Sequence, residues 1–263
     1  MSTFTNSEKW SDTLVQSKSE LESKQYADQV LSNDLAGSRK NYYFFKRIID
    51  LVLSVTVLIL LSPILILISL AILVYSPGPV FFVQERVGAR RRFENGKYYW
   101  KKENFKIYKF RTMKVNSDSS IHQAYVKALI KNDREKMDTI QGEKTETRKL
   151  IHDPRITRPG ALLRKLSLDE LPQLWNVIRG EMSLVGPRPA LSYEVEVYQP
   201  WHCQRLATQP GITGLQQVEA RCTADFDEQV HWDIKYIENQ SLWLDLKIIL
   251  KTPFIVISTK GAN

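Results

Sequence analysis

The dominant feature of the hydrophobic pattern is an uncharged apolar run, Leu51 to Tyr75 (LVLSVTVLILLSPILILISLAILVY). As one helix it would be ~37 Å long, enough to cross a hydrocarbon core of about 30 Å. Two features oppose a simple crossing. Pro63 sits at the middle, where it removes a helical hydrogen bond and crowds the preceding turn. Basic residues also flank both sides, Arg39, Lys40, Lys46 and Arg47 before the run and Arg86, Arg90, Arg91 and Arg92 after it. A spanning helix normally leaves its basic excess on one side. The halves 51–62 and 64–75, each roughly 18 Å as helix, do not span alone. The pattern therefore predicts a re-entrant helix over 46–77, broken at Ser62-Pro63, that dips into the membrane and returns to the same face. Ser62 would satisfy a backbone carbonyl freed at the bend. A kinked ordinary transmembrane helix is the alternative.

Residues 1–45 are polar, with no dense apolar face, and read as a tail or accessory helix. No apolar stretch follows a basic start within the first ~30 residues, so no signal-peptide pattern is expected. After the apolar run, FFVQ (81–84) and FKIYKF (105–110) have strand character and predict a small β-hairpin. Residues 119–135 predict an amphipathic helix carrying Ala124, Val126, Leu129 and Ile130, and the polar stretch 136–150 predicts a loop. Helix signals recur at Gly160–Leu166, at Leu168–Ile178 with Gly180 as a stop, at 225–239 and at 242–258. The last of these carries Trp243, Leu244, Leu246, Ile248, Ile249 and Leu250, apolar enough for a core or a bilayer interface. The expected architecture is α+β, mostly helical, with 78–195 as a catalytic region and 196–263 as its C-terminal part.

Composition narrows the partners. The net charge of +8 calls for an anionic partner: nucleic acid, a membrane surface or a phosphorylated substrate. No nucleic-acid-binding signature accompanies it, and the apolar run argues against that class. The two cysteines, Cys203 and Cys222, match no zinc spacing and read as reduced thiols, as in a cytoplasmic setting.

Candidate chemistry centres on the adjacent carboxylates Asp169 and Glu170. Ser167 and Glu170 form an S-x-x-E pattern, which predicts a capping box at a helix start. There a carboxylate stays ionised near free backbone N–H groups. Neighbouring side chains point about 100° apart, so the two can take different tasks, although plain capping would explain the pair equally well. Arg155, Arg158 and Arg164 lie upstream, and Arg179 and Arg188 downstream. Arg188 stands between Pro187 and Pro189, which stiffen it for bidentate phosphate recognition. Lys109 and Arg111 add further cations. A carboxylate nucleophile among cations suits phosphoryl transfer.

The chain resembles the bacterial sugar transferases, the monotopic phosphoglycosyl transferases of surface-glycan assembly. The resemblance rests on KRIIDLVLS…SP (46–63), GPVFFVQERVG (78–88), FKIYKFRTM (105–113), DPRITRPGALLRKLSLDELPQLWNVIRGEMSLVGPRP (153–189), PGITGLQQV (210–218) and LWLDLKIILKT (242–252), in that order. It implies that Asp169 attacks the β-phosphate of a UDP-sugar, that UMP leaves, and that a polyprenyl phosphate, usually undecaprenyl phosphate, takes the sugar phosphate from the aspartyl intermediate. Asp169 and Glu170 would hold Mg²⁺, with Glu170 the main ligand and an aid to the acceptor. Lys109, Arg111 and Arg188 would bind phosphate. The implied location is the cytoplasmic face of a bacterial inner membrane, in exopolysaccharide or lipopolysaccharide assembly. An oligomer is compatible with the family.

This sequence departs from the family pattern at two positions. Gln209 stands where a Lys or Arg usually precedes PGITG, and Gln216 stands within GLQQV. Arg164, Arg205 and Arg221 are further candidates for the phosphate site, the last two as substitutes for the missing cation. No motif reads a sugar's hydroxyl pattern. The rival reading is a non-catalytic basic protein of the membrane surface. It accounts for the charge and the apolar run but not for an acid pair set among arginines.

Overall fold

The structure is a computed structural model that describes residues 35–115, 117–144, 150, 153, 155–220 and 224–258. Residues 1–34, Arg221 and Cys222 lie outside the described residues, and with them most of the expected tail and one candidate cation.

A turn of helix at Leu35–Ser38 leads into α1, Lys40–Tyr75. Helix α1 is one continuous element of 36 residues, ~54 Å if straight. It begins before the apolar run, so Lys40–Phe45 belong to it rather than to the tail. It also does not break at Ser62-Pro63. Pro63 costs the helix the hydrogen bond to the carbonyl four residues back, that of Ile59, and Ser62 Oγ donates to that same carbonyl at 2.8 Å. The expected carbonyl rescue is therefore present, within a helix that carries on.

The burial pattern of α1 is inverted. Its buried positions include Lys46, Asp50 and Ser54, four residues apart on one face. Ile59, Leu60, Ile66, Leu67 and Val74 are exposed. Both ends of α1 rest on the same body. Near its start Lys46 pairs with Asp245 at 2.8 Å. Near its end Ile72 packs against Phe110 and Leu163. Among the described residues it is one helix long and apolar enough to cross a membrane.

Strands β1 (Phe81–Glu94) and β2 (Lys97–Phe110) form an antiparallel hairpin in register from Phe81–Phe110 to Glu94–Lys97. It is far longer than FFVQ and FKIYKF suggested. Its turn is Asn95-Gly96, both at positive φ, the combination that matches the twist of a two-residue hairpin. Helix α2 (Ser120–Ile130) follows. The expected loop after it contains instead α3, Arg134–Gln141. Asp133 caps α3 by accepting from Lys136 N, Gly142 ends it in a left-handed turn, and Met137 buries against Tyr125 and Ala128.

Helix α4 is Arg158–Lys165, with Thr157 capping Gly160 N and Pro159 in its first turn. A 3₁₀ helix, Leu168–Gln173, then runs into α5, Leu174–Ile178. Strand β3 (Ser183–Val185), α6 (Ser192–Val195), a second 3₁₀ helix (Pro200–Leu206), β4 (Gly211–Thr213), α7 (Leu215–Glu219), α8 (Phe226–Glu238) and α9 (Leu242–Ile257) complete the described chain. Strands β3 and β4 make a parallel pair that the sequence reading did not foresee. Gly186 and Gly211 pass so closely there that a Cβ on either would strike the other's backbone. The main core gathers Val87, Trp100, Val126, Tyr198, Phe226 and Val230, with Cys203 buried in it as a free thiol. The architecture is mostly helical with small two-stranded sheets, as the α+β reading expected.

Candidate active site

Asp169 and Glu170 enter the site from a turn that differs from the expected capping box. Ser167 adopts a left-handed conformation, φ 53°, unusual for a residue with a side chain, and makes no side-chain cap. Its carbonyl, not its hydroxyl, accepts from Glu170 N, at 3.3 Å. The segment continues as a 3₁₀ helix with Pro172 inside it, and α-geometry begins only at Leu174. Glu170 is thereby free of capping duty and reaches a different partner.

That partner is Lys109, whose Nζ donates to Glu170 Oε1 at 2.6 Å. Strand β2 is held in place for this by Asn176 of α5. The Asn176 amide accepts from Tyr108 N at 3.2 Å and donates to the Lys106 carbonyl at 2.7 Å. Arg188, in the turn after β3, approaches the same Glu170 oxygen at 3.9 Å, and about half of its side chain is exposed. Arg86 of β1 sits behind it, donating to the Pro189 carbonyl at 3.1 Å and to Gln84. Arg164 of α4 donates to Thr112 Oγ1 at 3.1 Å and faces Asp169.

The electrostatics separate the two acids. Burial pushes Asp169 up to about 6, helped by the neighbouring Glu170 charge and opposed by Lys109 and Arg164. Burial would also raise Glu170, but Lys109, Arg188 and Arg86 overcome it and hold Glu170 down at about 2. Burial lowers Lys109, with Glu170 opposing the shift, and burial and the Arg188 charge lower Arg86 to about 10. Both carboxylates are thus ionised at neutral pH, but the expected ease of ionisation holds for Glu170 and is reduced by burial at Asp169. Two carboxylates face four cations, Lys109, Arg86, Arg164 and Arg188, so the site carries positive charge that its own residues do not neutralise.

A small cleft opens among Arg86, Lys109, Glu170, Gln173, Arg188 and Gly211. Gln173 Nε2 and Arg86 Nε are buried there without hydrogen-bond partners among the described residues. Orphaned donors beside surplus cations suit an anion that accepts several hydrogen bonds. From the sequence Gln173 was not singled out, and Arg86 was read only as a basic flank of the apolar run. Gln173 lies one turn beyond Glu170, and that spacing was the available signal.

Other candidates lie elsewhere. Arg111 is buried, and its guanidinium donates to the carbonyls of Ser76 and Pro77, closing the end of α1. Arg205 is corrected as a phosphate ligand. It is buried in the core against Asp233 at 2.7 Å and Tyr198 Oη at 3.0 Å. Gln209 donates to the carbonyls of Gly180 and Met182, so where a cation was expected a neutral amide ties two turns together. Arg155 pairs with Asp153 and Arg179 with Glu181. Among the described residues no group of three or more His, Cys, Asp or Glu side chains gathers. A divalent ion here would have Asp169 and Glu170 and would depend on oxygens from a ligand, which suits Mg²⁺.

The family model described as bacterial sugar transferase matches residues 41–259. The chain belongs to the bacterial sugar transferase family. It is 40% identical over 232 residues to the undecaprenyl-phosphate galactose phosphotransferase of Salmonella typhimurium, covering 88% of this chain and 44% of that one. It is 39% identical over 217 residues to the exopolysaccharide production protein ExoY of Rhizobium meliloti, covering 82% of this chain and 87% of that one. With the UDP-glucose:undecaprenyl-phosphate glucose-1-phosphate transferase of Escherichia coli it shares 36% over 225 residues, covering 82% and 41%. The chain thus spans less than half the length of the Salmonella and Escherichia relatives and matches most of the Rhizobium one.

Proposed function

We propose that the protein transfers a sugar-1-phosphate from a UDP-sugar to a polyprenyl phosphate, undecaprenyl phosphate in the bacterial inner membrane. The observation that carries this reading is the acid pair itself. Asp169, with a carboxyl raised to about 6, lies beside a Glu170 pinned by Lys109 in a pocket with surplus cations. Such a carboxylate is ionised at neutral pH yet more basic than an ordinary one, which suits a nucleophile.

The reaction divides into two displacements. An Asp169 oxygen attacks the β-phosphorus, the bond from that phosphorus to the bridging oxygen breaks, and UMP leaves with that oxygen. An oxygen of the polyprenyl phosphate then attacks the same phosphorus. The bond to Asp169 breaks, and the carboxylate is restored. Lys109 and Arg188 stand where charge gathers on the transferring phosphoryl oxygens, and the Arg86 and Gln173 donors hold the diphosphate in line. Glu170, with Asp169, would hold Mg²⁺, which when bound supplies neutralising charge to the diphosphate oxygens.

Helix α1 supports the lipid half of the reaction. Its polar stripe faces the protein and its apolar side faces outward, the reverse of a helix in water. Both of its ends rest on one body. We therefore infer that it is a membrane anchor whose two ends stay on one face of the bilayer, with the site at the cytoplasmic face where a lipid phosphate meets a soluble nucleotide. UMP release from a panel of UDP-sugars, with Mg²⁺ and polyprenyl phosphate in detergent, tests the whole. Release with at least one sugar is expected. Vesicle binding without UMP release from any of them would favour a non-catalytic membrane-surface protein.

A further inference from the structure

The buried polar stripe of α1 has a second consequence. Arg47 donates to the carbonyls of Val177 (2.5 Å) and Ile178 (2.7 Å), capping the C-terminal end of the segment that begins with Asp169-Glu170. One turn on, Asp50 Oδ1 accepts from the backbone N–H of Leu184 at 3.0 Å, in the middle of β3. Strand β3 has three residues and one partner strand, β4, also of three. A pair this small has little stability of its own. Its free edge is held by side chains instead: Asp50 takes the Leu184 N–H, and Tyr236 Oη lies 3.1 Å from the Val185 carbonyl. Tyr236 is tied to Asp245 at 2.8 Å, and Asp245 to Lys46 at 2.8 Å. Lys46, Asp50, Asp245 and Tyr236 are all buried. Three residues beyond Val185 comes Arg188.

We propose that Asp50 is a positioning residue for Arg188. From inside the anchor helix it fixes β3, and through β3 the aim of the guanidinium at the donor phosphate. A displacement of about 1 Å in such a group costs about 100-fold in rate, so a distant tether suffices to control it. The inference rests on the phosphate role given to Arg188 above.

A double-mutant cycle on the full chain in detergent micelles tests it. Asp50→Ala should lower kcat/KM for the UDP-sugar about 10-fold or more, and Asp50→Asn, which keeps an acceptor for Leu184 N, should restore most of it. In the Arg188→Ala background Asp50→Ala should cost less than about 2-fold further, because the group it aims is gone. Tyr236→Phe, which keeps the core volume, should show the same non-additivity on a smaller scale and serves if Asp50→Ala does not fold. Equal losses in both backgrounds, with Arg188→Ala itself strongly impaired, would overturn the inference and leave the proposed reaction intact. Near-normal turnover of Arg188→Ala would instead overturn the phosphate role on which the inference stands.

Discussion

At Asp169-Glu170 two carboxylates face four cations around an open pocket; at Arg205 one guanidinium faces one carboxylate, Asp233, inside a closed core. Both regions combine arginine with buried acid, and burial lifts Asp169 and Asp233 alike to about 6. A raised carboxyl alone therefore does not mark a site in this molecule. What distinguishes the first region is what is left over: positive charge that its two carboxylates do not balance, and an Arg188 half exposed. The second region is balanced in charge, one guanidinium against one carboxylate, although Arg205 Nε lacks a hydrogen-bond partner among the described residues there too. Arg205 also donates to Tyr198 and lies beneath Phe226. A phosphate has a place in the first region and none in the second.

Substitutions that remove charge from each region sharpen the contrast. The largest effect is expected at Asp169. Asp169→Asn keeps the shape and removes the nucleophile, so turnover should fall by about 10⁴-fold or more. The same variant should be more stable. Raising the folded pKa from 3.8 to about 6 means that ionisation works against the fold, a cost absent at pH 3 and complete above about 6. Asp169→Asn should thus melt higher than the parent at pH 8, by the equivalent of roughly 2–3 kcal/mol, and no higher at pH 3.

Arg205→Ala should do the opposite. It leaves Asp233 buried without a partner, at a cost of about 3–5 kcal/mol in stability, while the folded fraction keeps its KM for the UDP-sugar. A raised KM with unchanged melting would return Arg205 to the phosphate site. Arg188→Lys should lose about 10- to 100-fold in kcat/KM with normal melting, since it keeps charge and loses the bidentate fork. The smallest effect is graded. Activity should decline as pH falls through about 6, where Asp169 gains its proton, and not near 4 as for an ordinary carboxylate. Glu170, held at about 2, stays ionised throughout that range.

Much of this was legible in the residues. The apolar run, the Ser62 bond to the carbonyl that Pro63 frees, and the helices at 226–238 and 242–257 follow from periodicity and from capping residues that the structure uses, whereas the expected break at Pro63 does not occur. The acid pair and Arg188 were visible because their neighbours are unusual. Other features carried too little signal. Strands β3 and β4 have three residues each, too few for an alternation to register. Helix α3 is polar throughout except for Met137 and Ile140, so its cap at Asp133 and its stop at Gly142 were outweighed. The capping box at Ser167 failed because Lys109, from a strand distant in sequence, competes for Glu170. Arg205 was misplaced because proximity to PGITG along the chain does not reveal which way a 3₁₀ turn faces.

The central claim is that Asp169 becomes covalently bonded to the sugar phosphate. Intact-protein mass spectrometry after mixing with a UDP-sugar and Mg²⁺, with no lipid acceptor present, tests it most directly. The expected result is a mass increase of one sugar phosphate on a peptide containing Asp169, one equivalent of UMP released, and neither event in Asp169→Asn. No adduct, with UMP appearing only when polyprenyl phosphate is added and still appearing then in Asp169→Asn, would contradict the account. The lipid phosphate would then attack the UDP-sugar itself, and Asp169 would act as a metal ligand.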